Sequence, residues 1–256
     1  MSASSDCGLT LLGGRVQLPA NHGLPPTTDT LFLAAAVSAQ PGMRVLDAGA
    51  GSGAAALCLA ARVEGVQVTA LEREAAPAQA ARDNKAANAF GDRLEVVEAD
   101  LAQYVRTYDG KPFDAVMTNP PYLDPATTRG SPDPLRHAAT VESMTLAAWV
   151  DACMALLVAG GELVLVHRSD REVDVLAALE HHCRDITIMD LRAGGAGDAP
   201  ARRVLVRAIK GSDGLLRRAE PMVLHGADGR YTASAEGILR QGKPLTWLAN
   251  RAGDTT

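Results

Sequence analysis

The run Val45-Leu46-Asp47-Ala48-Gly49-Ala50-Gly51-Ser52-Gly53 constrains this chain more than any other stretch. It reads as a buried strand, a glycine turn and then a helix from about Ala54 to Arg62. Val45 and Leu46 suit a strand covered on both faces, the kind found in a parallel sheet flanked by helices. Glycines at 49, 51 and 53 let the backbone turn tightly and approach a ligand, because no Cβ intervenes. The helix N-terminus then points its N–H groups at whatever lies in the turn.

The spacing argues against one common ligand. A dinucleotide fingerprint places its third glycine three positions after the second, and here Ala54 holds that place. Asp47 lies two residues before the first glycine. A carboxylate there is a poor neighbour for a pyrophosphate but suits a ligand with an ammonium group. The run resembles motif I of the class I S-adenosylmethionine-dependent methyltransferases. That resemblance implies S-adenosylmethionine as cofactor, with Asp47, Gly49, Ala50, Gly51 and Gly53 around it. The competing reading is a glycine turn in some other doubly wound nucleotide-binding fold.

Downstream, Gln67 to Leu71 reads as a second strand ending in Glu72, with Arg73 beside it. A carboxylate at that strand end is placed to accept hydrogen bonds from both ribose hydroxyls of a nucleoside. Leu94 to Glu98 is a third strand, followed by Asp100 and Leu101. Asp100 has two compatible readings: a cap for the short helix beginning near Leu101, or, by the resemblance, a partner for the adenine amino group. Upstream, Thr27-Thr28-Asp29 starts a helix through about Ser38. Thr28 and Asp29 are counted with the cofactor residues. Asp29 either serves the helix dipole or helps close the pocket.

The second motif follows a fourth strand, Phe113 to Thr118, which runs directly into Asn119-Pro120-Pro121-Tyr122. Two consecutive prolines remove two N–H donors and stiffen the backbone. The Pro120 carbonyl is then presented as an acceptor beside the Asn119 amide oxygen. Two fixed acceptors suit an NH₂ group whose lone pair must be freed for attack. Tyr122 offers a face for a flat base or amide. The segment Leu123 to Thr140 reads as a loop over the site, where Arg129, Arg136 and His137 meet substrate phosphates or are simply solvated.

A helix is expected from Val141 to Ala159, with Trp149 in its packing face and Gly160-Gly161 ending it. Glu162 to Val166 is a fifth strand, with His167 after it either structural or catalytic. Ile186 to Asp190 is a sixth, and Val204 to Ile209 a seventh and antiparallel one. Gly13-Gly14 and Ala227-Asp228-Gly229 read as hairpin turns. The expected architecture is α/β: a Rossmann-like, seven-stranded, mostly parallel sheet with helices on both faces. One domain is expected over 1–256, with an N-terminal hairpin and helix to 40, a core over 41–209 and an appendix over 210–256.

Composition narrows the setting. The net charge is −5, which argues against a surface that is basic throughout but leaves room for a local basic face. Arg202, Arg203, Arg207, Lys210, Arg217 and Arg218 crowd one stretch, either as a phosphate-contacting edge or as solvated charge. Four scattered cysteines show no metal-ligand spacing, so no metal is expected. No stretch is long and apolar enough to span a membrane and no secretion signal is seen, so a cytoplasmic protein, monomer or homodimer, is expected.

The order of motifs resembles the bacterial family that methylates N6 of the adenine beside the anticodon of valine tRNA. The likeness extends to Thr28-Asp29, Ser131-Pro132-Asp133-Pro134, His167-Arg168-Ser169-Asp170, Arg202 to Val206, Val223-Leu224-His225 and Tyr231-Thr232. It implies tRNA as partner, catalysis by Asn119, Pro120, Pro121 and Tyr122, and substrate contacts from Tyr122, Arg129 and Arg136. Glutamine N5-methyltransferases of release factors carry the same Asn-Pro-Pro-Tyr, which makes a release-factor protein the alternative substrate. A nucleoside-binding module without catalysis is the reading from another class.

Overall fold

The computed structural model describes residues 8–19, 25–121, 144–194 and 200–247. An N-terminal antiparallel hairpin pairs β1 (Leu9–Leu11) with β2 (Val16–Leu18). Then come α1 (Thr28–Ala36), β3 (Arg44–Ala48), α2 (Ala54–Arg62), β4 (Gln67–Glu72) and α3 (Ala75–Ala86). β5 (Leu94–Glu98), α4 (Leu101–Thr107) and β6 (Phe113–Thr118) follow. The second half holds α5 (Leu146–Ala155), β7 (Leu157–Arg168), α6 (Glu172–Leu179), β8 (Ile186–Gly194) and β9 (Arg203–Ile209). β10 (Leu216–Arg218), β11 (Met222–His225) and α7 (Ala233–Gln241) complete the described chain.

The main sheet runs β5-β4-β3-β6-β7-β9-β8, with β10 and β11 pairing in succession along the outer edge of β8. β9 is antiparallel to both its neighbours, and the other described pairings in this sheet are parallel. The seven strands from β5 to β8 are the expected core. The sheet therefore gains two strands beyond it, for a total of nine. β10 is three residues long and exposed throughout, so it carries no apolar alternation to read. Backbone pairing with β8 makes it a strand.

Successive residues of the central strands feed opposite cores, as the two-residue side-chain period requires. Val45, Met117 and Val164 pack with α1, α2 and α7 on one face. Leu46, Val116 and Leu163 pack with α4, α5 and α6 on the other. The alanine-rich α2 buries seven of its nine residues, since small side chains let it lie close to the sheet. Arg62 in its last turn donates to the carbonyls of Ala34 at 3.0 Å and Val37 at 2.6 Å, which closes the end of α1. The appendix joins the same body: Leu245 donates its N–H to the Ala35 carbonyl, and the Trp247 indole donates to that of Ala36. Among the described residues no helix is long and apolar enough to cross a membrane.

One expected boundary moves. α5 stops at Ala155 and β7 starts at Leu157, so Gly160-Gly161 lie inside a strand rather than at a helix end. The Phe113 N–H takes the Leu156 carbonyl at 2.8 Å, which starts the β6–β7 pairing early, and an irregularity in register follows. Gly160 at φ +75° and Gly161, wedged between the Asp114 and Val158 carbonyls, carry that irregularity.

Gly194 fixes β11 to the sheet edge. It sits at φ +85°, and a Cβ there would lie 1.9 Å from the His225 carbonyl oxygen. Gly194→Ala is expected to release β11 while leaving the central strands intact. Hydrogen exchange should then quicken at least tenfold at Met222–His225 and stay slow at Val45 and Leu46; unchanged protection of β11 would contradict this.

Candidate active site

Four neighbouring strands end at one cavity of about 360 Å³. Asn119 follows β6, Asp47 and the glycine turn close β3, Glu72 ends β4, and Asp100 follows β5. In the sheet these strands stand in the order β6-β3-β4-β5. Three strand spacings span roughly 14 Å, the reach of an extended nucleoside carrying an amino-acid chain.

The glycine turn is built by convergence. The N–H groups of Gly49 and Ala50 both donate to the Leu71 carbonyl, each at 2.9 Å. This folds the turn back over the end of β4 and turns its concave side to the cavity. Gly49 has φ +76°, and an added Cβ would meet two ring carbons of Trp149 at 3.2 Å. Gly51 is glycine for its φ of +55° alone, since a Cβ there would meet open space. Gly53 differs: it starts α2 in the left-handed conformation and faces the Ala81 Cβ, 3.1 Å from where its own would be. It is buried and lies outside the cavity wall, so only two of the three glycines line the pocket.

Three carboxylates are held differently. Asp47 is 2% exposed and accepts a hydrogen bond from the Ala56 N–H of α2 at 3.2 Å. Burial pushes its carboxyl up to about 7; the Ala56 bond opposes the rise and Glu72 adds to it. Glu72 accepts from the Gly51 N–H at 2.8 Å and from the Glu74 N–H at 2.9 Å, one on each oxygen. Each oxygen keeps a second lone pair, enough for two hydroxyls. Asp100 caps α4 through Oδ1, which accepts from Ala102 and Gln103, so the cap reading holds while Oδ2 takes no part in it.

Asp29 lines the cavity from the first turn of α1, where its Oδ2 pairs with Arg203 Nε at 2.9 Å. Both readings of Asp29 are thus met by one position. Thr28 does not reach the cavity; Thr27 lines it instead. Ala50, Arg73 and Leu101 also lie on the wall. Arg73 is paired with Glu74 at 3.0 Å.

At the β6 end, Asn119 and Pro121 line the cavity, whereas Pro120 is buried behind them. Tyr122, Arg129, Arg136 and His137 lie outside the described residues. Sequence reasoning placed Trp149 in a packing face only. It is 7% exposed and does pack, but its ring also forms cavity wall. Its Nε1 donates to Thr118 Oγ1 at 3.0 Å, and the Thr118 hydroxyl donates to the Ala48 carbonyl at 2.7 Å. The ends of β3 and β6 are thereby locked together. Arg203 also reaches the wall; it stood out in the sequence only as part of the basic stretch and of the Arg202 to Val206 likeness.

Much of that stretch is tied into ion pairs. Arg207 pairs with buried Glu162, Arg217 with Asp185, and Arg218 with Asp190 and Glu172. Lys210 donates to the Leu157 carbonyl at 2.7 Å. Arg202 alone of the six is exposed with no ion pair among the described residues. His167 is fully buried in β7, away from the cavity, and burial lowers it to about 4, so it stays neutral and structural.

Comparison with known proteins fits this geometry. Residues 27–194 match the methyltransferase small domain family. A protein of Aeromonas hydrophila named tRNA1(Val) (adenine(37)-N6)-methyltransferase is 34% identical over 80% of this chain and 84% of its own. One of Serratia proteamaculans with the same name is 32% identical over 80% of this chain and 78% of its own. Among solved structures, a predicted O-methyltransferase from Agrobacterium tumefaciens superposes with a TM-score of 0.68 at 30% identity, covering 85% of this chain and 98% of that one. An S-adenosylmethionine-dependent O-methyltransferase from Thermotoga maritima, with a TM-score of 0.51 at 22% identity over 73% of this chain and 66% of that one, shares the fold.

Asp47 yields a test of the electrostatics. Its folded value of about 7 exceeds its ordinary 3.8, so the folded state binds the proton more tightly. Its contribution to stability is therefore lost as pH rises from about 4 to about 7 and stays unfavourable above that. Asp47→Asn keeps an acceptor for Ala56 and removes the charge. The variant is expected to melt several degrees (~3–6 °C) higher than wild type at pH 8 and to match it at pH 4. Scanning calorimetry at both pH values checks this; a lower Tm at pH 8 would contradict it.

Proposed function

Given that the chain belongs to the methyltransferase small domain family, we propose that its acceptor is N6 of an adenine in tRNA, adenine 37 of valine tRNA as in the names of its relatives. The protein is an S-adenosylmethionine-dependent methyltransferase. The observation that carries the reading is Asn119 on the wall of a cavity whose other strand ends hold Asp47, Glu72 and Asp100.

The residues present fit the cofactor. Asp47 is a buried carboxylate that a ligand ammonium would return to its charged form. Glu72 has lone pairs for two ribose hydroxyls, and Gly49 carries no Cβ to press on the Trp149 ring in the cavity wall. Bound there, the cofactor supplies a methyl group already activated on a sulfonium. The protein's task is then alignment. Holding a nucleophile about 3–3.5 Å from the methyl carbon in line contributes roughly 7–11 kcal/mol.

Asn119 Oδ1 accepts an amine proton and so turns the nitrogen lone pair toward the methyl group, while buried Pro120 stiffens the backbone that holds Asn119. Tyr122 stacks on a base drawn out of its strand, at a cost of a few kcal/mol that is smallest in a single-stranded loop. Arg129 and Arg136 meet the adjoining phosphates. An amide oxygen is no base, so Asn119 suits an amine better than a hydroxyl, which must lose its proton to react.

Two measurements test the reading. Mass spectrometry of nucleosides from tRNA of cells with and without the protein is expected to show N6-methyladenosine lost in its absence. Asn119→Ala is expected to lower methyl transfer by at least about a hundredfold while cofactor Kd stays within about twofold of wild type. Full turnover by that variant, or label appearing only in release factor, would overturn the assignment.

A further inference from the structure

We propose that the stacked pair His225 and Tyr231 is a second nucleobase platform, which holds an unpaired nucleotide of the same RNA while the target base enters the cavity. The inference rests on the tRNA reading above. The two rings lie 4.7 Å apart at 24°, on either side of the turn that joins β11 to α7. Tyr231 is 37% exposed, so its outer face is open. The platform is stiffly mounted. His225 Nδ1 lies 2.8 Å from the Ala193 carbonyl, which only accepts, so Nδ1 carries the proton and the ring is fixed. Thr232 Oγ1 donates to Val223 at 2.8 Å, and Gly194 lets β11 press against β8.

Its position matters as much as its chemistry. β11 and β8 run in the same direction as β6, so His225 stands at the sheet edge where the cavity opens. The registers Thr118↔Leu165, Leu165↔Val206 and Val206↔Ile188 put Asn119 level with Met189. β8 runs five residues beyond that level to Gly194, opposite His225. At about 3.3 Å per residue the platform rises roughly 17 Å above Asn119, and four strand spacings set it roughly 19 Å to the side. It is a raised wall beside the cavity mouth, at the scale of a nucleic-acid stem and loop.

Charge connects the two. Arg202, one residue beyond the last β9 pairing, and Arg230, next to Tyr231, are both exposed without ion pairs among the described residues. Arg192 lies between them, 42% exposed and only loosely paired with Asp190 at 3.4 Å. Asp228 is a further acid nearby and accepts from the Arg230 N–H at 3.0 Å. Aromatic faces joined to a groove by cations are how unpaired strands are held: the rings stack bases and the cations follow phosphates.

The test uses the full-length enzyme with an unmodified valine tRNA transcript. Tyr231→Leu keeps bulk and loses the π face, and is expected to raise KM for tRNA at least about fivefold with kcat and cofactor Kd within about twofold; Tyr231→Phe should behave as wild type. Arg202→Gln with Arg230→Gln touches no ion pair among the described residues and should flatten the plot of log affinity against log salt by roughly one to two units. An unchanged KM in Tyr231→Leu, or equal losses in the Leu and Phe variants, overturns the platform. No transfer to tRNA by wild type would overturn the tRNA reading and the platform with it; transfer with an unchanged KM in Tyr231→Leu would overturn the platform alone.

Discussion

Two N–H groups converging on one carbonyl hold this molecule's site open. Gly49 and Ala50 both donate to Leu71, and only a residue without a Cβ can sit at Gly49 while Trp149 covers it from the other side. The turn cannot move without moving β4, and Trp149 cannot move without releasing Thr118 and the end of β6. The glycine turn and the end of β6 that leads into Asn119 are thus parts of one rigid body. Alignment chemistry needs that rigidity, because a displacement of about 1 Å forfeits much of what alignment contributes.

The same rigidity carries a cost in electrostatics. Asp47 is held dry beneath the turn, beside a second carboxylate, and unliganded it sits near the neutral form. A stable fold alone would place an apolar residue there. A buried carboxylate raised this far and aimed at a cavity is instead the mark of a group waiting for a cation. Under the proposed function, a ligand ammonium would draw the Asp47 carboxyl back to its charged form and offset the stability given up there.

Charge elsewhere follows a different rule. The basic stretch from 202 to 218 is spent mainly on structure, since Arg207, Arg217 and Arg218 each find an acid on a neighbouring element. Arg207 on β9 meets Glu162 of neighbouring β7, while Arg217 and Arg218 on β10 lie beside β8 and meet Asp185 and Asp190 there. Arg202, at the sheet edge, stays exposed without an ion pair among the described residues. A protein of net charge −5 can therefore present a local basic face without being basic.

Local sequence was enough for the strand-turn-helix at 45–62, for the carboxylates at 72 and 100, and for the antiparallel seventh strand, because each rests on nearest-neighbour chemistry: glycine at positive φ, β-branched runs, caps. It also marked Asn119 through two prolines whose stiffness is covalent. It could not tell that Gly53 and Thr28 lie outside the cavity wall while their neighbours line it, since that depends on how α1 and α2 pack. It gave no sign that Trp149 would form cavity wall or that β10 and β11 would extend the sheet. Those facts depend on partners more than twenty residues away, Thr118 and Gly49 for the indole and β8 for the added strands. Pairing at that distance is decided by which surfaces meet when the sheet closes, and no local pattern records it.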